Sequence, residues 1–335
     1  MGKVLILVSF ISIFASCVKP YDLDLSGDNT EAVLNVAATA LLHDGKIRLD
    51  VYPGQFSSHF KDFPQYPLDN LQLEVEVDGE KIAQDDIYYG QTPEGRIISA
   101  NIADVGGQNP DVQIRLTDLN GNFSPVSAQA RFPGKADWSC EITPIYDSQK
   151  PNVITDYRAD IQIKDDPSEN NYYMLAVEYL YSIAINGVTK VGGSTYWQYG
   201  FNMAFNSLGF AHFNCADALF HDSYIKASIG GFTPGFSNVF SDRLFSGKDV
   251  TFQIAFPAID PTSFYGPYAS SESLPIIIHL MSIPQEHYNY IKKMQYYLSD
   301  DVSIFEEPSS LPTNIANGYG FFTVMNDNIV SYNLL

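Results

Sequence analysis

Hydrophobic and polar positions alternate strictly along the first third of the chain. Leu71, Leu73, Val75 and Val77 are separated by Gln72, Glu74, Glu76 and followed by Asp78. Side chains leave a strand on alternate faces, so this pattern predicts a strand with one dry face and one wet face. Asp78-Gly79 comes next, two residues that tolerate positive φ, and predicts a type I′ hairpin with Lys81-Ile82 starting the return. Ile47, Leu49 and Val51 repeat the alternation, as do Val112, Ile114 and Leu116 ahead of a second turn at Asn120-Gly121. No helical period competes. Residues 31–133 therefore predict an antiparallel β-sandwich of immunoglobulin-like size. His59 to Pro67 interrupts it as an aromatic, proline-rich loop.

Phe132-Pro133-Gly134 punctuates the end of that unit, and 134–335 predicts a larger antiparallel β domain. Its clearest part is Tyr172 to Tyr199, two long strands about Asn186-Gly187. Tyr173, Leu175 and Val177 begin an apolar face, and Met174, Ala176 and Glu178 a mixed one. Strands this long suit a large curved sheet. Phe252, Ile254 and Phe256 predict another strand, and the apolar run from Pro275 to Met281 predicts one buried on both faces. A single stretch, about 284–299, reads as helix. Ser282 stands as its cap, Gln285 follows three residues on, and Pro284 is tolerated in the first turn. Tyr288, Ile291, Gln295 and Leu298 form one stripe with Tyr290, Met294 and Tyr297 beside it, and Lys292 and Lys293 face out. Tyr288, Ile291 and Leu298 are expected to be buried against the sheet containing Tyr173 to Ile185. Phe321 to Leu335 then predicts strands folded about Asn326-Asp327-Asn328. The expected class is mainly β: an N-terminal immunoglobulin-like β-sandwich followed by a larger antiparallel β domain carrying one substantial helix.

Composition changes this picture in two ways. The 22 Tyr and 22 Phe suit strands. A formal charge of -20 repels nucleic acids and anionic headgroups, so no nucleic-acid partner is expected. The start of the chain says more. Lys3 precedes eleven apolar residues, Val4 to Phe14, a run too short to span a bilayer but with the form of an export leader. Ala15-Ser16-Cys17 then adds a cysteine that ordinary cleavage does not need. A bacterial lipoprotein signal does need it, because the thiol is acylated and becomes the new N-terminus. Residues 1–16 thus read as a lipoprotein signal peptide, Cys17 as the lipidation site, and 17–30 as an acidic tether. Several acyl chains on one cysteine hold a protein stably where one chain binds only marginally. Cys140 and Cys215 remain as thiols in an oxidising compartment, and the sequence leaves open whether they pair.

Candidate chemistry is sparse. The chain has no G-x-S-x-G, no H-E-x-x-H, no Walker loop and no calcium-loop pattern. His212, Cys215, Asp217, His221 and Asp222 form the densest ligand-type cluster, but their spacing fits no common zinc motif and reads as a polar loop. No metal, cofactor or catalytic residue is expected, and no enzyme. His279, inside an apolar strand, reads as a hydrogen-bonded core histidine. Glu286 and His287 fall in the first turn of the helix, where an acidic side chain gains from the dipole. The candidate for ligand or partner binding is the aromatic run Tyr196, Trp197, Tyr199 and Phe201, continued to Phe213 among Gly, Asn and Ser. A large β core with alternating aromatics is the competing reading.

Three segments late in the chain carry a resemblance. They are Phe240-Ser241-Asp242-Arg243-Leu244-Phe245-Ser246-Gly247-Lys248, then Tyr288-Asn289-Tyr290-Ile291-Lys292, and then Glu307-Pro308 leading to Asn314-Ile315-Ala316-Asn317-Gly318-Tyr319-Gly320-Phe321-Phe322. In this order behind the Cys17 signal, the chain resembles a family of Bacteroidetes lipoproteins catalogued as domain of unknown function 4249. Asn314, Asn317, Gly318 and Gly320 suit a tight turn passing close to the core, and the 241–248 segment a turn entering the next strand. The resemblance implies an outer-membrane lipoprotein, often encoded near TonB-dependent transporters, and carries over no catalytic residue. The acidic tether resembles the surface-export signal of such lipoproteins, which implies that the body faces the cell exterior. The expected function is a non-catalytic binding or accessory module for a TonB-dependent transporter in nutrient uptake. The alternative is a structural or adhesive surface protein without small-molecule cargo.

Overall fold

Among the described residues three sheets carry the fold, and the last described strand contributes to three cores. The computed structural model describes residues 33–56, 66–92, 95–103, 105–107, 109–185, 188–195, 239–258, 269–270, 275–298 and 311–333. The expectations for Cys17, the 17–30 tether, most of the proline-rich loop, the aromatic run at 196–213 and Cys215 lie outside these residues.

The largest sheet follows the path β12 (Val188–Thr195), β11 (Tyr172–Ile185), β16 (Pro275–Ser282), β17 (Tyr319–Asn333), β1 (Val33–His43), β2 (Lys46–Phe56), β6 (Gly95–Ile102), β5 (Ile87–Thr92). Two short strands, β13 (Val239–Ser241) and β15 (Ala269–Ser270), also pair with β11. A four-stranded sheet runs β4 (Glu80–Lys81), β3 (Leu71–Val77), β7 (Asp111–Asp118), β8 (Val126–Arg131). A three-stranded one runs β14 (Val250–Pro257), β10 (Ile154–Lys164), β9 (Asp137–Tyr146). Helix α1 (Gln285–Leu298) is the single α-helix among the described residues. The fold is mainly β, as the alternation predicts.

Local rules account for much of this. Leu71, Leu73, Val75 and Val77 are all buried, and the residues between them are not. Asp78 and Gly79 turn with φ of 51° and 83°, the paired positive values of a type I′ hairpin. On β11, Tyr173, Leu175 and Val177 enter one core while Met174 and Ala176 enter another. β16 lies between β11 and β17 and is buried on both faces, as its unbroken apolar run predicts.

The two smaller sheets pack on the same face of the large one. Alternate residues of β17 show this directly: Phe322 and Val324 are buried with the four-stranded sheet, and Tyr332 packs on the core of the three-stranded sheet. Asn326 and Asn328, between them on that face, donate to the carbonyls of Pro133 (3.0 Å) and Ala136 (2.8 Å), in the connection from β8 to β9. The opposite face carries α1 over Met174, Ala176, Met281 and Met325.

The structure departs from expectation at three places. β17 is one continuous strand, without the fold-back expected at Asn326-Asp327-Asn328, because all three polar side chains find partners inside the protein. Its first half pairs with β1 in parallel, Phe322 beside Ala38, so the sandwich is not wholly antiparallel and residues from 315 onward sit in its core. The third concerns the helix. Its bounds match, and Tyr288 and Ile291 pack half-buried on Met174, Ala176 and Met281, but among the described side chains of the helix the deepest are His287 and Tyr290; those of 294–298, Leu298 included, lie outside the description. Tyr290 stacks on Phe321 with ring centroids 4.3 Å apart, a contact the helical period alone could not favour over its neighbours. Lys292 is half-buried rather than fully outward, its ammonium 5.7 Å from the Tyr288 ring.

Candidate functional site

Three ionisable residues meet on the face of the large sheet that carries α1, two of them, His279 and Glu178, set in largely apolar strands. His279 stands on β16, where its register partners are Ala176 on β11 and Ile329 on β17. Two residues along, on opposite diagonals, lie Glu178 and Asp327. Same-face diagonal neighbours in a sheet are within reach of long side chains. Nδ1 of His279 is 2.9 Å from Asp327 Oδ2, and Nε2 is 3.3 Å from Glu178 Oε2. His279 and Asp327 are 5% and 3% exposed, so this is a charge network inside the protein.

Burial pulls the His279 pKa down, but the hydrogen bonds and charges of Asp327 and Glu178 outweigh it and hold it at about 9. Both ring nitrogens therefore carry protons at neutral pH, and each donates to a carboxylate. The arrangement is suited to fixing three strands in register. Asp327 Oδ1 accepts no hydrogen bond among the described residues. At the next strand, the Asp327 carbonyl lies 3.4 Å from His43 Nδ1.

A second polar cluster is built by the 240–248 segment. β13 pairs with β11, a 3-10 turn follows at Asp242–Leu244, and the buried Asp242 carboxylate accepts the Asn171 N–H (2.7 Å). Burial raises the Asp242 pKa against that hydrogen bond. Asp165 accepts from the Gly247 N–H (2.7 Å), the Asn171 side chain (3.2 Å) and the Tyr173 hydroxyl (3.4 Å). Gly247 has φ of 73°, and a Cβ there would stand 2.9 Å from Pro167. These residues clamp two loops together.

The 314–322 segment works similarly. Where β16 does not reach, the backbone of Phe322 would be left open on the side away from β1. The Asn314 amide closes it, donating to the Phe322 carbonyl (2.6 Å) and accepting its N–H (2.8 Å). Asn317 and Gly320 take positive φ, and a Cβ at Gly320 would overlap the Val36 carbonyl.

Cys140 is on β9, half-buried, its thiol pushed up to about 12 by burial and then by Asp160. Cys215, whose pairing with Cys140 the sequence leaves open, the expected lipidation site Cys17 and the aromatic candidates Tyr196, Trp197, Tyr199 and Phe201 lie outside the described residues. His279 is the core histidine its strand predicts. Nothing local in the sequence pairs it with Glu178 and Asp327; Glu178 carries the one signal, an acid placed in a largely apolar strand, whereas Asp327 stands between two Asn residues. His287, assigned no role from sequence, is fully buried, and burial lowers its pKa to about 3. Among the described residues no group of three His, Cys, Asp or Glu side chains is placed to hold a metal ion.

No curated protein matches this chain. The family described as "Domain of unknown function (DUF4249)" matches residues 19–328, which takes in the His279 network, the Asp242 clamp and the Asn314 turn. The chain belongs to the DUF4249 family.

Proposed function

We propose that this protein is an outer-membrane lipoprotein, held by an acylated Cys17 and facing the cell exterior as in the Bacteroidetes lipoproteins it resembles. Its β body serves as a non-catalytic binding or accessory module, with a TonB-dependent transporter in nutrient uptake as the partner. The observation that carries the anchor is Ala15-Ser16-Cys17 behind a short apolar leader. The module reading is supported by the way the signature segments are used. Asp242 and Asn314 turn their polar atoms onto backbone and Gly247 gives its N–H to Asp165, so all three build scaffold.

Substitution Cys17→Ser tests the anchor. The variant should move to the soluble fraction and take up no fatty-acid label; retention on membranes with label would overturn it. Co-purification from solubilised membranes tests the module. Recovery of a transporter in fixed ratio supports the accessory role. Recovery of the protein alone, with neither transporter nor ligand, favours the structural or adhesive alternative.

A further inference from the structure

Backbone N–H and C=O groups along a sheet edge need partners, and this protein closes such edges with side chains. At Leu73 on β3, the N–H donates to the Tyr89 hydroxyl oxygen (3.2 Å) and the carbonyl accepts from Gln84 Nε2 (2.9 Å). At Phe322 the Asn314 amide does the same. β5, the last strand on the path of the large sheet, is left open. Its pairing with β6 is regular from Ile87 to Thr92; the Ile87 N–H donates to the Gln84 carbonyl of the preceding turn, and among the described residues no further hydrogen bond reaches the backbone from Tyr88 to Thr92.

Edges of natural sheets are ordinarily guarded by charge, proline or a bulge. The β5 sequence, Ile-Tyr-Tyr-Gly-Gln-Thr, has no charge and no proline, and its ladder has no bulge. Tyr88 to Gln91 are exposed, the two tyrosines by 59% and 42%. Immediately before the strand, Asp85 and Asp86 stand exposed in a 3-10 turn and make no ion pair among the described residues. The chain as a whole carries -20. An unguarded edge is a template for strand addition, and the charge beside it selects what adds.

We propose that β5 is a docking edge for an extended, basic segment of a partner protein. The segment adds as a further strand beside Ile87–Thr92 and sets Lys or Arg side chains against Asp85 and Asp86. A second copy of this chain suits the edge less well, because it brings the same two carboxylates and the same net charge. The inference stands on the sheet edge alone, so it can fail without touching the proposed membrane anchor, and the reverse.

Hydrogen exchange on the purified full chain tests it, with an end-capped peptide Lys-Lys-Thr-Val-Thr-Val-Thr as probe. The peptide should slow exchange at the amides of 87–92. A peptide with Glu in place of both Lys should bind about fivefold more weakly, the scale of two exposed ion pairs. The double variant Asp85→Lys, Asp86→Lys should invert that preference, and both positions are exposed, so the variant should fold. Protection elsewhere or nowhere, or equal binding of the two peptides, would overturn the proposal. So would a concentration-dependent dimer in which 87–92 is protected without peptide.

Discussion

His279 Nδ1 lies 2.9 Å from Asp327 Oδ2, a diagonal contact between β16 and β17 on the sheet face that carries helix α1. Its place matters because β17 contributes to all three cores, with Val324 in one, Tyr332 against the second and Met325 in the third. Slipping a strand by one residue turns every side chain to the wrong face. A buried ion pair forbids that slip, since the displaced His279 and Asp327 would be left as uncompensated charges.

The first prediction concerns alkaline pH. The folded pKa of His279, about 9, lies above its ordinary 6.5, so the folded state holds the proton more tightly. The stabilisation is complete below pH 6.5 and is lost as pH rises toward 9, by roughly 3 kcal/mol. Urea unfolding near pH 6 and about pH 9.5 should show this loss in the native protein and a much smaller one in His279→Gln. Equal pH dependence in the two would refute the assignment.

His287 should act in the opposite direction. Burial lowers its pKa from 6.5 to about 3, so it contributes stability above pH 6.5 that is lost as pH falls toward 3. A His287→Leu variant should therefore lose less stability than the native protein between about pH 6 and about pH 4, measured as a shift in urea midpoint.

On the helix, the stacked ring of Tyr290 should matter more than its neighbours. Tyr290→Ala removes a buried aromatic from Phe321 and should cost about 2–4 kcal/mol. Lys292→Ala, half-buried with its ammonium over Tyr288, should cost under about 1 kcal/mol. Denaturant midpoints of the two variants decide the order. A larger loss at Lys292 would mean that the helix is rotated on the sheet.

The Asn314 amide should behave as a substitute for a missing strand. Asn314→Ala leaves the Phe322 N–H and carbonyl without it, at about 2–3 kcal/mol. Asn314→Asp should be no better, since a carboxylate has no proton to give the carbonyl. Gly320→Ala should be worse still, exceeding about 4 kcal/mol, because φ of 105° and overlap with the Val36 carbonyl both oppose a side chain. Hydrogen exchange at residues 35–40 would report the loosened β1–β17 pairing.

By itself the sequence determined what depends on near neighbours. Alternation placed β3 and its dry face, Asp78-Gly79 its hairpin, and the period after Pro284 the helix, since each rests on interactions a few residues apart. It also marked His279 as buried. Tertiary structure alone decided which strand lies beside which. β1 and β17 pair in parallel from the two ends of the described chain, and no local pattern encodes a partner so distant. The same distance explains Asn326-Asp327-Asn328. Asn and Asp favour turns because their side chains bond nearby backbone when nothing else is available. Here Pro133, Ala136 and His279 are available, brought in from far along the chain, and the three residues stay extended in the middle of a strand.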